Sequence, residues 1–148
     1  MRLHYSIILL SALLISACPV RAEDSAVANA VAEYMAFTEY GSGAILPEQI
    51  PEGDWAKIHV IDTRAADQFA KEHIPGAINI EWRQVVERRH EIPRDRMVVL
   101  YCNIGVLSTQ AVFAMRLLGW DNVLVLGGGI EGWKAKGGMK ANARAAGH

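Results

Sequence analysis

The chain has little cysteine: two in 148 residues. Cys18 lies in an apolar N-terminal stretch, and Cys102 stands alone in the rest of the sequence. A disulfide within the body of the protein is thereby excluded, and Cys102 is expected to be either buried and inert or exposed and reactive. Long apolar runs are missing too. The stretch Ile7 to Ile15 falls well short of the roughly 20 residues that span a bilayer. There is no basic excess, with Lys+Arg 15 against Asp+Glu 16, which argues against a nucleic-acid partner. Beyond the N-terminal stretch the histidines are His59, His73, His90 and His148; they show no paired ligand spacing, so no metal is expected. Neither an internal repeat nor a linker-like segment divides the chain, which leaves one domain with an adequate core.

What is present begins with a leader. Residues 1–6 form a weakly basic start, followed by the apolar core Ile7 to Ile15, and together they read as a secretion signal over residues 1–22. Two endings compete. Val20-Arg21-Ala22 suits cleavage after Ala22, whereas Ile15-Ser16-Ala17-Cys18 is similar to a bacterial lipobox that would lipidate Cys18. Cleavage is favoured because Pro19 follows the cysteine and Glu23-Asp24 opens a soluble-looking segment. The expectation is a periplasmic or secreted protein that touches a membrane only if Cys18 is lipidated. Loss of residues 1–22 removes Arg2 and Arg21 and no acid, leaving 13 basic residues against 16 acids, a net of −3.

Apolar positions Val27, Val31, Tyr34, Met35 and Thr38 recur at helical spacing and predict a helix within residues 23–42, closed by Gly41-Ser42-Gly43. A domain over residues 43–137 follows. Strands are predicted at Ala44 to Leu46, Lys57 to Ile61, Ala77 to Ile80, Met97 to Tyr101 and Asn122 to Leu126. Helices are predicted at Ala65 to Lys71, Trp82 to Arg89, from Ser108 as cap to Gly119, and at Ile130 to Lys136. Residues 138–148 read as a poorly ordered tail. Alternating strands and helices imply an α/β fold with a mainly parallel five-stranded sheet covered on both faces.

Ligands of such sheets bind beyond the carboxyl ends of the strands. Two strand ends carry chemistry: Asp62 with Arg64, and Cys102 with the loop Asn103, Ile104, Gly105, Val106, Leu107 and Ser108. A thiol there gains anion stabilisation from inward main-chain amides and from the positive end of the following helix. Gly105 can adopt the positive φ that lets the loop curl, and Asn103 offers a further amide.

The motifs Asp62-Thr63-Arg64, Glu72 to Ile80, Val98 to Gly105, Gly119 to Val123 and Gly128 to Trp133 resemble, in order and spacing, those of the rhodanese family, across residues 43–136. The resemblance implies a rhodanese-like fold and a catalytic Cys102. It further implies transfer of sulfane sulfur, from thiosulfate or a persulfide donor to a thiol or cyanide acceptor, through a covalent persulfide on Cys102 without a separate cofactor. A protein donor or acceptor is also compatible with it. With the secretion signal, the chain resembles the small periplasmic single-domain thiosulfate sulfurtransferases.

One departure bears on the donor. Many thiosulfate-using relatives carry Arg or Lys beside the cysteine or at the end of the loop, where this chain has Asn103 and Leu107; no cationic residue lies between Tyr101 and Arg116. Ile104, Val106 and Leu107 instead put apolar surface round the sulfur, so a sulfur-relay or interaction module with little thiosulfate turnover is the alternative reading. A phosphatase loop would be longer and would close with arginine, where Ser108 stands here. Asp62 is expected to cap a helix or pair with Arg64, and Arg64 could attract an anion if it reaches the loop. His73 is expected to fix a turn. Trp82 and Trp133 read as packing residues, and Arg83, Arg88, Arg89, Arg94 and Arg96, interspersed with acids, read as a solvated face.

Overall fold

A computed structural model describes residues 20–147, with side chains from Ser25. Residues 1–19, and with them Cys18 and the apolar core of the leader, lie outside the described residues. Helix α1 (Val20–Phe37) runs through Ala22 and leads by a glycine turn into β1 (Ala44–Ile45). There follow β2 (His59–Asp62), α2 (Ala66–Lys71), β3 (Ile78–Asn79), β4 (Val98–Tyr101), α3 (Val106–Leu117), β5 (Val123–Leu126), α4 (Gly129–Lys136) and α5 (Ala141–Ala146). Among the described residues no helix is long and apolar enough to cross a membrane.

The five strands form one parallel sheet in the order β1-β5-β4-β2-β3. β4 is central, and all four of its residues are fully buried. That is why its sequence is an unbroken apolar run rather than an alternation. Successive side chains still point to opposite faces. Val98 and Leu100 join Ile61, Val123, Ala111, Val112 and Met115 in the core under α3. Val99 and Tyr101 join Val60, Trp55, Leu126 and Ile130 in the core on the opposite face, next to α4. α1 lies outside this sandwich and touches it through the Tyr34 ring, edge-on to Phe113 at 5.3 Å.

Three expected elements are corrected. Trp82 to Arg89 is not a helix: a 3₁₀ turn spans Trp82–Gln84 and another Arg89–Glu91. The Glu81 carboxylate accepts from the Arg83 amide and caps the start of the first turn, while Val85 and Ile92 sink separately into the core. α3 starts at Val106, two residues before the expected Ser108 cap, because Gly105 at φ +102° supplies the N-cap. The segment after Gly137 forms a 3₁₀ turn and α5. It docks because small residues fit closely: Ala141 is 1% exposed, and Asn142 Nδ2 donates to Glu48 O at 2.6 Å.

Candidate active site

β2 and β4 are neighbours with Asp62 opposite Tyr101, so the segments leaving them start side by side. Thr63 ties the two exits together, its amide and its hydroxyl both donating to Tyr101 O at 2.8 and 2.9 Å. Cys102 follows at once and is 3% exposed, which corrects the expected choice between buried and inert or exposed and reactive: the sulfur is buried, and hydrogen-bond donors rather than exposure favour its ionised form.

The positive φ of Gly105 folds the loop back on the cysteine, and the Gly105 amide donates to Cys102 Sγ at 3.2 Å. α3 begins at the next residue, so the amides of its first turn have no intrahelical partner and the positive end of its dipole lies at the sulfur. The Ser108 hydroxyl, fully buried, sits 3.7 Å from Sγ and 3.0 Å from Gly105 O. Burial pushes the Cys102 thiol up and is the largest single influence. The Ser108 amide and hydroxyl, with the Leu107 and Gly105 amides, together prevail and hold it below its ordinary value. The sulfur is therefore poised to ionise by main-chain and hydroxyl donors alone.

The loop is also held from behind. Ile130 N–H donates to Cys102 O at 2.9 Å, and Glu131 N–H to Asn103 O at 3.1 Å. Both donors belong to the first turn of α4.

Asp62 and Arg64 form the frame beside the loop. Asp62 is fully buried and Arg64 is 6% exposed. The Arg64 amide and Nε donate to Asp62 Oδ1 at 2.9 and 3.0 Å, and Nη2 donates to Oδ2 at 2.6 Å. Nη2 also donates to Glu72 O at 2.6 Å, and Nη1 to Asn103 Oδ1 at 3.3 Å. The guanidinium thus reaches the loop by way of Asn103 while its charge is matched by Asp62. Of the two expectations for Asp62, pairing with Arg64 is the one realised. Asn103 ties the loop to this pair, while the groups that stabilise an anion on Sγ are Gly105, Leu107 and Ser108.

Ile104, Val106 and Leu107 are 64, 58 and 37% exposed and form an apolar rim on the loop. His73 fixes a turn: its Nδ1 bonds Phe69 O at 2.9 Å and its ring stacks on Phe69. Trp82 and Trp133 pack on the two cores. Arg83, Arg88 and Arg96 pair with Glu81, Glu91 and Asp95 at the surface. Among the described residues no group of three or more His, Cys, Asp or Glu could hold a metal ion.

Sequence reasoning missed two contributors. Asn79 Nδ2 bridges Asp62 O and Arg64 O at 3.0 and 2.9 Å, a role with no local signal. The grip of α4 on the loop was marked only by the run Gly127-Gly128-Gly129.

A protein of Allochromatium vinosum named sulfurtransferase is 36% identical over 84 residues, covering 57% of this chain and 78% of its own. The thiosulfate sulfurtransferase PspE of Escherichia coli K12 is 38% identical over 76 residues, covering 50% and 73%. Among solved structures, a rhodanese-related protein from Thermoplasma volcanium superposes with a TM-score of 0.59 at 25% identity, over 64% of this chain and 93% of that one. With a cysteine loop at the carboxyl edge of a parallel sheet, and a match to the rhodanese-like domain over residues 46–136, the chain belongs to the rhodanese family.

Proposed function

We propose that the protein is a sulfurtransferase in which Cys102 carries sulfane sulfur. The Cys102 thiolate attacks the outer sulfur of a donor; the new Sγ–S bond forms as the donor's S–S bond breaks, and the donor leaves as sulfite or as a thiol. The enzyme then holds Cys–S–S⁻ until a thiol or cyanide takes the outer sulfur and returns the thiolate. Both enzyme states are anions and both need the same donors. The observation that carries the reading is the ring of Gly105, Leu107 and Ser108 groups that favours negative charge on a cysteine without a cationic neighbour in its loop. The relatives named sulfurtransferases support it. The leader read in residues 1–22 supports action in the periplasm or outside the cell.

The test is intact mass. After incubation with thiosulfate or a small hydropersulfide, the wild type should gain one sulfur that cyanide or a reducing thiol removes, and Cys102→Ser should gain none. A wild type that no donor loads refutes the reading.

The second reading, a sulfur relay that uses thiosulfate poorly, is favoured by the uncharged rim of Ile104, Val106 and Leu107. Thiosulfate carries two negative charges, and a missing charge-assisted contact costs about 1.5–3 kcal/mol, or about one to two decades in affinity. Leu107→Arg should then lower KM for thiosulfate by about tenfold or more and leave loading from a hydropersulfide unchanged. An unaltered KM argues that charge at the rim does not limit thiosulfate.

A further inference from the structure

The cysteine loop begins with two carbonyls that face away from the sulfur and fix the course of the backbone leading to the Gly105, Leu107 and Ser108 amides. Cys102 O and Asn103 O do so because each accepts a hydrogen bond from α4, at 2.9 Å from Ile130 N–H and 3.1 Å from Glu131 N–H. Such close contact between the loop backbone and the start of a helix leaves no room for a side chain between them. Gly129 stands at that point. A Cβ built on it would lie 2.5 Å from Cys102 O, 2.6 Å from Asn103 O and 2.7 Å from Asn103 C. All three are backbone atoms that cannot swing aside. Its φ of +59° adds a conformation that residues with a Cβ rarely adopt.

We propose that the first turn of α4 is a clamp that sets the orientation of the cysteine loop, and that Gly129 is the positioning residue that allows the clamp to close. The clamp acts through the loop rather than on the substrate. Ile130 and Glu131 hold two carbonyls, and with them the Cys102–Asn103 and Asn103–Ile104 peptide planes, from which the loop runs on to the Gly105, Leu107 and Ser108 amides at Sγ. The idea rests on Cys102 being the working thiol, but it concerns the geometry of that thiol rather than the identity of the donor.

Gly127 supplies the control. It lies in the same glycine run, but a Cβ there would closely approach only the tip of the Leu46 side chain, at 2.6 Å. Leu46 is 50% exposed and can turn away. Gly129→Ala and Gly127→Ala are compared with wild type in full-length protein by the rate of Cys102 alkylation against pH, together with thermal unfolding. Gly129→Ala should raise the alkylation midpoint by about one pH unit, as expected for loss of one donor to a charged sulfur, and should slow sulfur loading at neutral pH about tenfold. Gly127→Ala should leave the midpoint in place. A Gly129→Ala protein that melts earlier but keeps the wild-type midpoint overturns the proposal, as does an equal shift in Gly127→Ala.

Should Gly129→Ala fail to fold, Glu131→Pro removes the N–H that holds Asn103 O, at a first-turn position whose N–H makes no intrahelical bond for proline to break. Its midpoint should also rise, whereas Lys134→Ala, which deletes the Lys134 ion pairs with Glu131 at 2.9 Å and with Glu72 at 3.0 Å, should not move it. An unchanged midpoint in Glu131→Pro, or an equal rise in Lys134→Ala, overturns the clamp. Alkylation reads the thiol without any sulfur donor, so failure of the wild type to load sulfur would refute the proposed function and leave this result standing.

Discussion

Ser108→Ala isolates the one side-chain donor at the Cys102 sulfur among the described residues. The hydroxyl lies 3.7 Å from Sγ and 3.0 Å from Gly105 O, and its single proton serves one of them at a time. When the cysteine is a neutral thiol, the carbonyl is the better acceptor; when the sulfur is ionised or carries a persulfide, the anion is. Removing the hydroxyl orphans nothing, because Gly105 O still accepts from Thr109 N–H at 2.9 Å and Thr109 Oγ1 at 2.8 Å. Alanine fits the fully buried site with one atom fewer, so the fold should survive. A hydrogen bond to a charged group contributes about 1.5–3 kcal/mol, and a long, shared contact to sulfur belongs at the low end of that range. Since about 1.4 kcal/mol corresponds to one pH unit, the thiol midpoint should rise by about one unit. The Ser108 amide, which remains, prevents a larger change. Alkylation with a neutral reagent, followed from low to high pH, should run about tenfold slower than wild type below both midpoints and converge with it above both. Superimposable pH profiles would show that the hydroxyl serves Gly105 O alone and would refute the shared-proton argument.

Two further outcomes follow from the buried charges. Asp62→Asn leaves the Arg64 guanidinium, 6% exposed, without its countercharge; breaking a buried pair in this way costs about 3–5 kcal/mol, so the denaturant midpoint should fall sharply, and a loss below about 1 kcal/mol would place the pair among ordinary surface ion pairs. The lowered Cys102 thiol also links stability to pH. A thiol whose folded pKa lies below the unfolded value of about 8.5 contributes stability that is fully present above the unfolded value and is lost as pH falls through the folded one. The stability of wild type relative to Cys102→Ser should therefore increase with pH across that window and level off above it; a difference that shrinks with rising pH would contradict the anion-stabilising loop.

The parts of the fold that were legible in the sequence are those that burial writes directly into residue type. Val98-Val99-Leu100-Tyr101 reads as a strand because its apolar run matches a segment covered on both faces, and the mainly parallel five-stranded sheet follows from strands alternating with helices. Where fit rather than apolar quantity decides, the reading failed. The small residues after Gly137 looked too weak to dock, yet Ala141 is buried because an alanine can approach the turn at Pro47–Gln49 closely. Ser108 looked like a cap because serine commonly caps through its side chain, whereas here a positive-φ glycine ends the loop and the serine moves inside, to the sulfur. The Asp62–Arg64 pair, by contrast, is legible as an Asp-x-Arg spacing, while the reach of the guanidinium to Asn103 exists only after β2 and β4 are paired. The common cause is that this site is built from main-chain groups. An N–H vector has no letter in the sequence, and its direction is set by contacts from an element far along the chain. Such a site leaves its trace only where a side chain is forbidden: at Gly105, where the loop must turn, and at Gly129, where another backbone must come within touching distance. A glycine beside a reactive cysteine is therefore evidence about electrostatics as much as about flexibility, because the space it leaves empty lets peptide dipoles be aimed.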